Sequence, residues 1–184
     1  MKQFLLACSI LLALLPAPAF TQDEQRLFKG VELYQEGKFQ EAVEVLSQFI
    51  EKEKDSWVAY TYLGGSLANL GRNDEAIVIL STKPVGKVRP SVFPLDSPME
   101  ILKKAKAINT KDARRNKTEG DVVLFVEFKG NGEVGFVLPT KPLPDGLTDS
   151  AIEAARKFKF RPAIKNQKPV STIRTITFTF GNYR

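Results

Sequence analysis

Two hydrophobic periods divide this chain. Up to about residue 81, apolar and small side chains recur at the three- and four-residue spacing of amphipathic helices; from residue 120 they alternate with polar ones at period two. The first pattern predicts four helices, over residues 23–36, 39–53, 56–70 and 73–81. In the second, Val122, Leu124, Val126 and Phe128 form the inward face of a strand, and Gly130-Asn131-Gly132 suits a tight hairpin. Val134, Phe136 and Leu138 continue that face on the return strand. A helix follows, with Thr148 as N-cap, Asp149 in its first turn and Ala151, Ile152, Ala155 and Phe158 on one face. Pro162 ends any helix before it, and a last strand over residues 170–180 brings in Ile176, Phe178 and Phe180.

The helical half repeats itself. Gly30, Leu33, Gly37, Glu41, Ala42 and Leu46 recur 34 residues later as Gly64, Leu67, Gly71, Glu75, Ala76 and Leu80. That is the tetratricopeptide period, and this half resembles a pair of such repeats. The small residues let paired helices approach, and Gly37 and Gly71 end the first helix of each pair. Two repeats are fewer than a self-sufficient stack needs, so the open apolar end must be covered by the next segment, the C-terminal domain or a second chain. Trp57, Tyr60 and Tyr62 suit packing between helices, or the lining of a groove.

In the second half, Glu119-Gly120, Gly130-Asn131-Gly132-Glu133-Val134, Gly146-Leu147-Thr148, Ala151-Ile152-Glu153-Ala154-Ala155-Arg156, Phe160-Arg161-Pro162-Ala163, Asn166-Gln167-Lys168-Pro169-Val170 and Thr177-Phe178-Thr179-Phe180 follow one another. In this order they resemble the C-terminal domain of TonB-family energy transducers. The resemblance implies an extended lead-in, a short helix near residues 110–117 and a β-β-α-β domain. The chain therefore reads as a signal segment (1–19), helical repeats (20–81), a Pro-containing connector (82–108) and a TonB-like domain (109–184), an all-α unit joined to an α+β unit. The cluster of Val122, Leu124, Val126, Ile152, Phe158, Phe178 and Phe180 is expected to close by itself, so that the domain folds without the repeats.

Residues 1–19 have the layout of a secretory signal: Lys2, then a twelve-residue apolar run, then Ala17-Pro18-Ala19. The run is too short to span a bilayer; an uncleaved anchor is the alternative. Cys8 is the only cysteine and there is no histidine, so a processed chain has no disulfide, thiol nucleophile or imidazole base. No catalytic, cofactor-binding or metal-binding residue is expected. Charge is lopsided. Residues 23–80 hold 6 basic and 11 acidic side chains, residues 81–184 hold 20 and 10. Lys103, Lys104, Lys106, Lys111, Arg114, Arg115 and Lys117 lie together before the first strand. They suit a solvated face, docking on the acidic repeats, or an anionic lipid or polysaccharide. Export argues against nucleic acid.

The resemblance implies a periplasmic, non-enzymatic interaction module whose sheet edge takes an extended peptide as an added strand. The repeats would be a second interaction surface. The alternative is a complete membrane-anchored transducer. In the family the strand after the helix is the receiving edge. Here that places Ser171, Ile173, Thr175, Thr177 and Thr179 at the contact, with Ile173, Val123, Phe125 and Val137 as an outer apolar patch. The partner would be an outer-membrane transporter peptide, a second copy of the chain, or the repeat half.

Overall fold

The structure, a computed structural model, describes residues 21–82 and 95–181. The expected signal segment, and the connector from residue 83 to 94, lie outside the described residues.

Four helices, α1 (Gln22–Gln35), α2 (Phe39–Lys52), α3 (Trp57–Asn69) and α4 (Asn73–Thr82), form two antiparallel hairpins within a residue or two of the expected bounds. The N-terminus of α1 is closed by a capping box between Thr21 and Glu24. The 34-residue repeat is exact at both hairpin turns. Gly37 and Gly71 each adopt φ +77°, and the amides of Lys38 and Arg72 donate to Leu33 and Leu67 carbonyls at 2.9 Å. That is the left-handed closure only glycine makes cheaply. At the helix crossings, a Cβ on Gly30 would lie 2.5 Å from Leu46, and one on Gly64 2.5 Å from Leu80. Both leucines are fully buried.

The C-terminal half is built on a three-stranded antiparallel sheet, ordered β3–β2–β7. Strand β2 (Gly120–Phe128) sits in the middle, flanked by β3 (Val134–Lys141) and β7 (Thr172–Phe180). A lead-in strand, β1 (Glu100–Lys103), pairs with β4 (Lys159–Arg161). Helix α5 (Lys111–Asn116) is capped by Thr110, as the short helix expected there. Helix α6 (Leu147–Arg156) buries Leu147, Ala151, Ala154 and Ala155. Its N-cap is Gly146 rather than Thr148, whose hydroxyl instead bridges the amide and carbonyl of Leu143 at 2.8 Å. A small hairpin, β5 (Ala163–Lys165) and β6 (Lys168–Val170), was not expected. Three-residue strands are too short to display a period. Asn166 and Gln167 turn that hairpin with positive φ.

Three expectations need correction. First, β3 does not keep one alternation. Val126 pairs with Val137 and Phe128 with Val134, so three steps on β3 match two on β2. This bulge at Gly135 and Phe136 flips the faces. Val137 and Val134 pack beside Val126 and Phe128, whereas Phe136 and Leu138 point to the other side. Second, the extended lead-in implied by the resemblance begins inside the stretch assigned to the connector, and residues 95–108 pack against the domain. Asp96 and Ser97 bond the Ile164 backbone, Glu100–Lys103 form β1, and Met99, Ile101, Ala105 and Ala107 pack under the sheet.

Third, the seven residues expected to cluster in the C-terminal half do so, but the repeats do not keep a core to themselves. One cluster, with Val122, Leu124, Val126, Phe158 and Phe180, lies between sheet, α6 and lead-in. The other runs from the repeats directly onto the sheet's opposite face, where Phe125 and Leu138 join Leu27, Val31 and Tyr34. The repeats' open end is thus covered by the sheet, the second of the three covers considered.

Candidate partner-binding edge and its docked repeats

Strand β7 is paired with β2 at nine consecutive positions, from Thr172 opposite Phe128 to Phe180 opposite Gly120, without a register shift. Its other edge meets no strand among the described residues. Which backbone groups face that open side follows from two contacts. Ser171, just before β7, gives both of its main-chain groups to one side chain: its amide donates to Gln35 Oε1 at 2.9 Å, and its carbonyl accepts from Gln35 Nε2 at 2.8 Å. On the far side, the Val123 carbonyl accepts from the Thr140 hydroxyl of β3 at 3.3 Å, so Val123 turns away from its β7 partner, Thr177. Main-chain groups along a strand alternate from side to side. Both contacts therefore assign the outward amides and carbonyls of β7 to the odd-numbered residues: Ile173, Thr175, Thr177 and Thr179.

The side chains match this edge. Thr175, Thr177 and Thr179 are exposed, and Thr179 donates to Asp121 at 2.7 Å. β-Branched polar residues hold a strand extended without making its surface apolar. A groove of about 330 Å³ runs beside the C-terminal half of the strand. Its walls are Lys104 to Ala107 on one side and Ile176 to Phe180 on the other, with Phe158 between.

The four patch residues do not share a fate. Phe125 is buried under the repeats, and Ile173 packs against the same helices. Val123 is half-buried and belongs to neither core cluster. Val137 is not on the outer face, because the β3 bulge carries it to the other side.

Docking of the repeats adds Tyr34, Glu127, Gly65 and Gly135, which no hydrophobic period marks, to Tyr62 and Ile173. Tyr34, buried at the end of α1, donates its hydroxyl to Glu127 Oε1 on β2. Glu127 is 2% exposed, and its Oε2 has no hydrogen-bond partner among the described residues. Burial, and then the adjacent Glu127 carboxylate, push the Tyr34 phenol well above its ordinary range. Half-buried Tyr62, edge-on to Tyr34 at 5.1 Å, is pushed up to about 12 by burial, with Arg174 and Gln35 pulling the other way. Gly65 leaves room for Ile173: a Cβ there would lie 2.4 Å from the Ile173 tip. Gly135, in the bulge, leaves room for Glu127, whose Oε2 would be 2.0 Å from a Cβ. A pocket of about 240 Å³ remains where α1 and α3 meet β7, with Val31, Trp57, Tyr62, Ile173 and Arg174 in its lining.

One signal for the buried acid was legible. The run from Val122 to Phe128 is apolar at every position except Glu127, the mark of a strand covered on both faces. An acid within such a run needs a buried partner. That the partner is Tyr34, 93 residues away, only the fold decides.

Residues 110–181 match the family model described as the Gram-negative bacterial TonB protein C-terminal. No curated protein matches the chain. Domains of this family are non-enzymatic interaction and transduction modules of the periplasmic side, which contact proteins such as outer-membrane transporters. The four helices before it are compatible with tetratricopeptide repeats. A helical repeat pair is thus docked on the sheet of a segment, residues 110–181, that is similar to the TonB C-terminal family.

Proposed function

We propose that this chain is a periplasmic interaction protein of a TonB-like system, and that it takes an extended partner segment as a fourth strand on β7. The observation that carries the reading is the open edge: nine residues paired to β2 on one side and, among the described residues, to no strand on the other. Main-chain groups of Ile173, Thr175, Thr177 and Thr179 would supply the affinity, and the adjoining groove would select side chains. Gln35 supports this geometry, since its amide already pairs with Ser171 as a neighbouring strand would. It also sets a limit. With Ser171 engaged by α1, an added strand would begin at Ile173. Phe125 and Ile173 of the outer patch are turned to the repeats, so the repeats serve here as a brace for the strand. Any second interaction surface on them would include the pocket beside Trp57.

The test is titration of the isotope-labelled chain with extended peptides, read by amide shifts. Shifts from Ile173 to Thr179 are expected. Thr175→Pro removes one outward donor while sparing the β2 pairing, so binding should fall far more than stability. Shifts confined to residues 103–117, with none on β7, would refute strand addition.

A further inference from the structure

The lead-in to the sheet presents a surface unlike the rest of the molecule. Residues 100–117 contain seven cations and two acids, a net charge of +5. Both acids are already neutralised, Glu100 by Arg161 at 2.5 Å and Asp112 by Arg115 at 2.9 Å. The other six cations, Lys103, Lys104, Lys106, Lys111, Arg114 and Lys117, are exposed and make no ion pair with the described residues. Glu119, exposed just beyond them, is the next acid along the chain.

Two aliphatic side chains stand in the same row. Ile101, Ala105 and Ala107 turn inward onto the core, whereas Leu102, Lys104, Lys106 and Ile108 turn outward. Ile108 is 71% exposed and Leu102 56%. Only four large apolar residues are so exposed among those described, and this one row holds two of them. Ile108 is not on a loose tip. Its amide donates to the Ser150 hydroxyl at 2.7 Å, and its carbonyl accepts from the same hydroxyl at 2.9 Å. The backbone is pinned while the side chain is held out in water.

The acidic repeats do not cover this surface. They sit on the opposite face of the sheet, against Phe125 and Leu138. We infer that the row from Leu102 to Ile108, with the cations of α5, docks on an anionic lipid bilayer. Clustered cations with intervening aliphatic side chains match the chemistry of that interface: the ammonium and guanidinium groups meet phosphates, and the aliphatic tips enter the acyl boundary. A soluble polyanion would use the charges and leave Ile108 and Leu102 without a role. The inference is independent of strand addition at β7. Because Lys104 and Lys106 also wall the groove beside β7, docking would hold that edge close to the membrane.

The experiment uses the full chain and vesicles of phosphatidylcholine with or without about 30% phosphatidylglycerol. A polarity-sensitive fluorophore is attached in Cys8→Ser/Ile108→Cys, and in Cys8→Ser/Val78→Cys as a control on the exposed far half. The probe at 108 should shift to the blue on anionic vesicles and not on neutral ones, and the probe at 78 should shift on neither. Lys104→Glu/Lys106→Glu should weaken vesicle binding about tenfold, and salt should weaken the wild type in the same sense. Leu102→Ser/Ile108→Ser keeps the charge and should weaken it severalfold. Amide spectra of each variant establish that it is folded. Equal shifts at 78 and 108, or binding to neutral vesicles alone, would overturn the inference. So would aliphatic variants that bind like the wild type, which would reassign the surface to a soluble polyanion.

Discussion

Among the contacts that join the two halves of the chain, the buried pair of Tyr34 with Glu127 has asymmetric energetics. Removing the phenol hydroxyl leaves both Glu127 oxygens buried without a donor. Tyr34→Phe should therefore cost about 1–3 kcal/mol, measured by urea unfolding. Glu127→Gln keeps an acceptor for the phenol and should cost less. The same site predicts a pH response. Tyr34 and Tyr62 both have folded pKa values above the ordinary 10.0, so the folded state binds protons more tightly than the unfolded chain. Their contribution is fully present below about pH 10 and is lost as the pH rises beyond it. For Tyr62 the loss extends to about pH 12. Alkaline titration followed by circular dichroism should show stability falling from pH 10 upward, and Tyr62→Phe should flatten that fall.

Two adjacent glycines on α3 separate helix packing from docking. A Cβ on Gly64 would meet the branch carbon of Leu80, which is fully buried and cannot retreat. Gly64→Ala should destabilise by about 1–3 kcal/mol, although alanine is the better helix former by about 1 kcal/mol. A Cβ on Gly65 would meet the tip of Ile173 at 2.4 Å, which can turn aside, and the Tyr34 ring at 3.1 Å, which need give only a few tenths of an ångström. Gly65→Ala should then cost less in thermal unfolding, whereas Gly65→Val should loosen the seat of α3 on β7. The second effect is read by amide shifts at Ile173 and Ser171, with the Gly64 crossing unchanged. The bulge on β3 shows the same dependence on element geometry. One extra residue there exchanges Val137 for Phe136 and Leu138 on the face beneath the helices.

At the scale of the molecule, the sheet is covered on both faces. Helix α6 and the lead-in cover one, the repeats the other. A core that crosses the domain boundary should unfold as one unit. Trp57, the only tryptophan, reports on the repeats, so its fluorescence and the far-ultraviolet signal should give coincident urea transitions. Leu124→Ala, a fully buried truncation on the opposite face of the sheet, should cost about 2–5 kcal/mol and shift both probes together. Two separated transitions would show that the interface is too weak to couple the halves.

Local chemistry along the chain was enough to place the four repeat helices, the β2 face and the last strand. Each rests on a periodic run longer than five residues, or on a glycine required where the helix must turn. Gly37 with Gly71 and Leu46 with Leu80 show this, since each pair repeats one contact at one spacing. The split of the β7 side chains into odd and even sets was legible for the same reason, because alternation is a local property. What depended on distant residues was not. The bulge that moves Val137, the partner of Glu127, the Gln35 contact to Ser171 and the roof over Phe125 join residues far apart in sequence or break a local period. Which face of a sheet is covered, and by what, is set by the volume and polar groups that meet when the halves pack. No window of the sequence contains both sides of that contact.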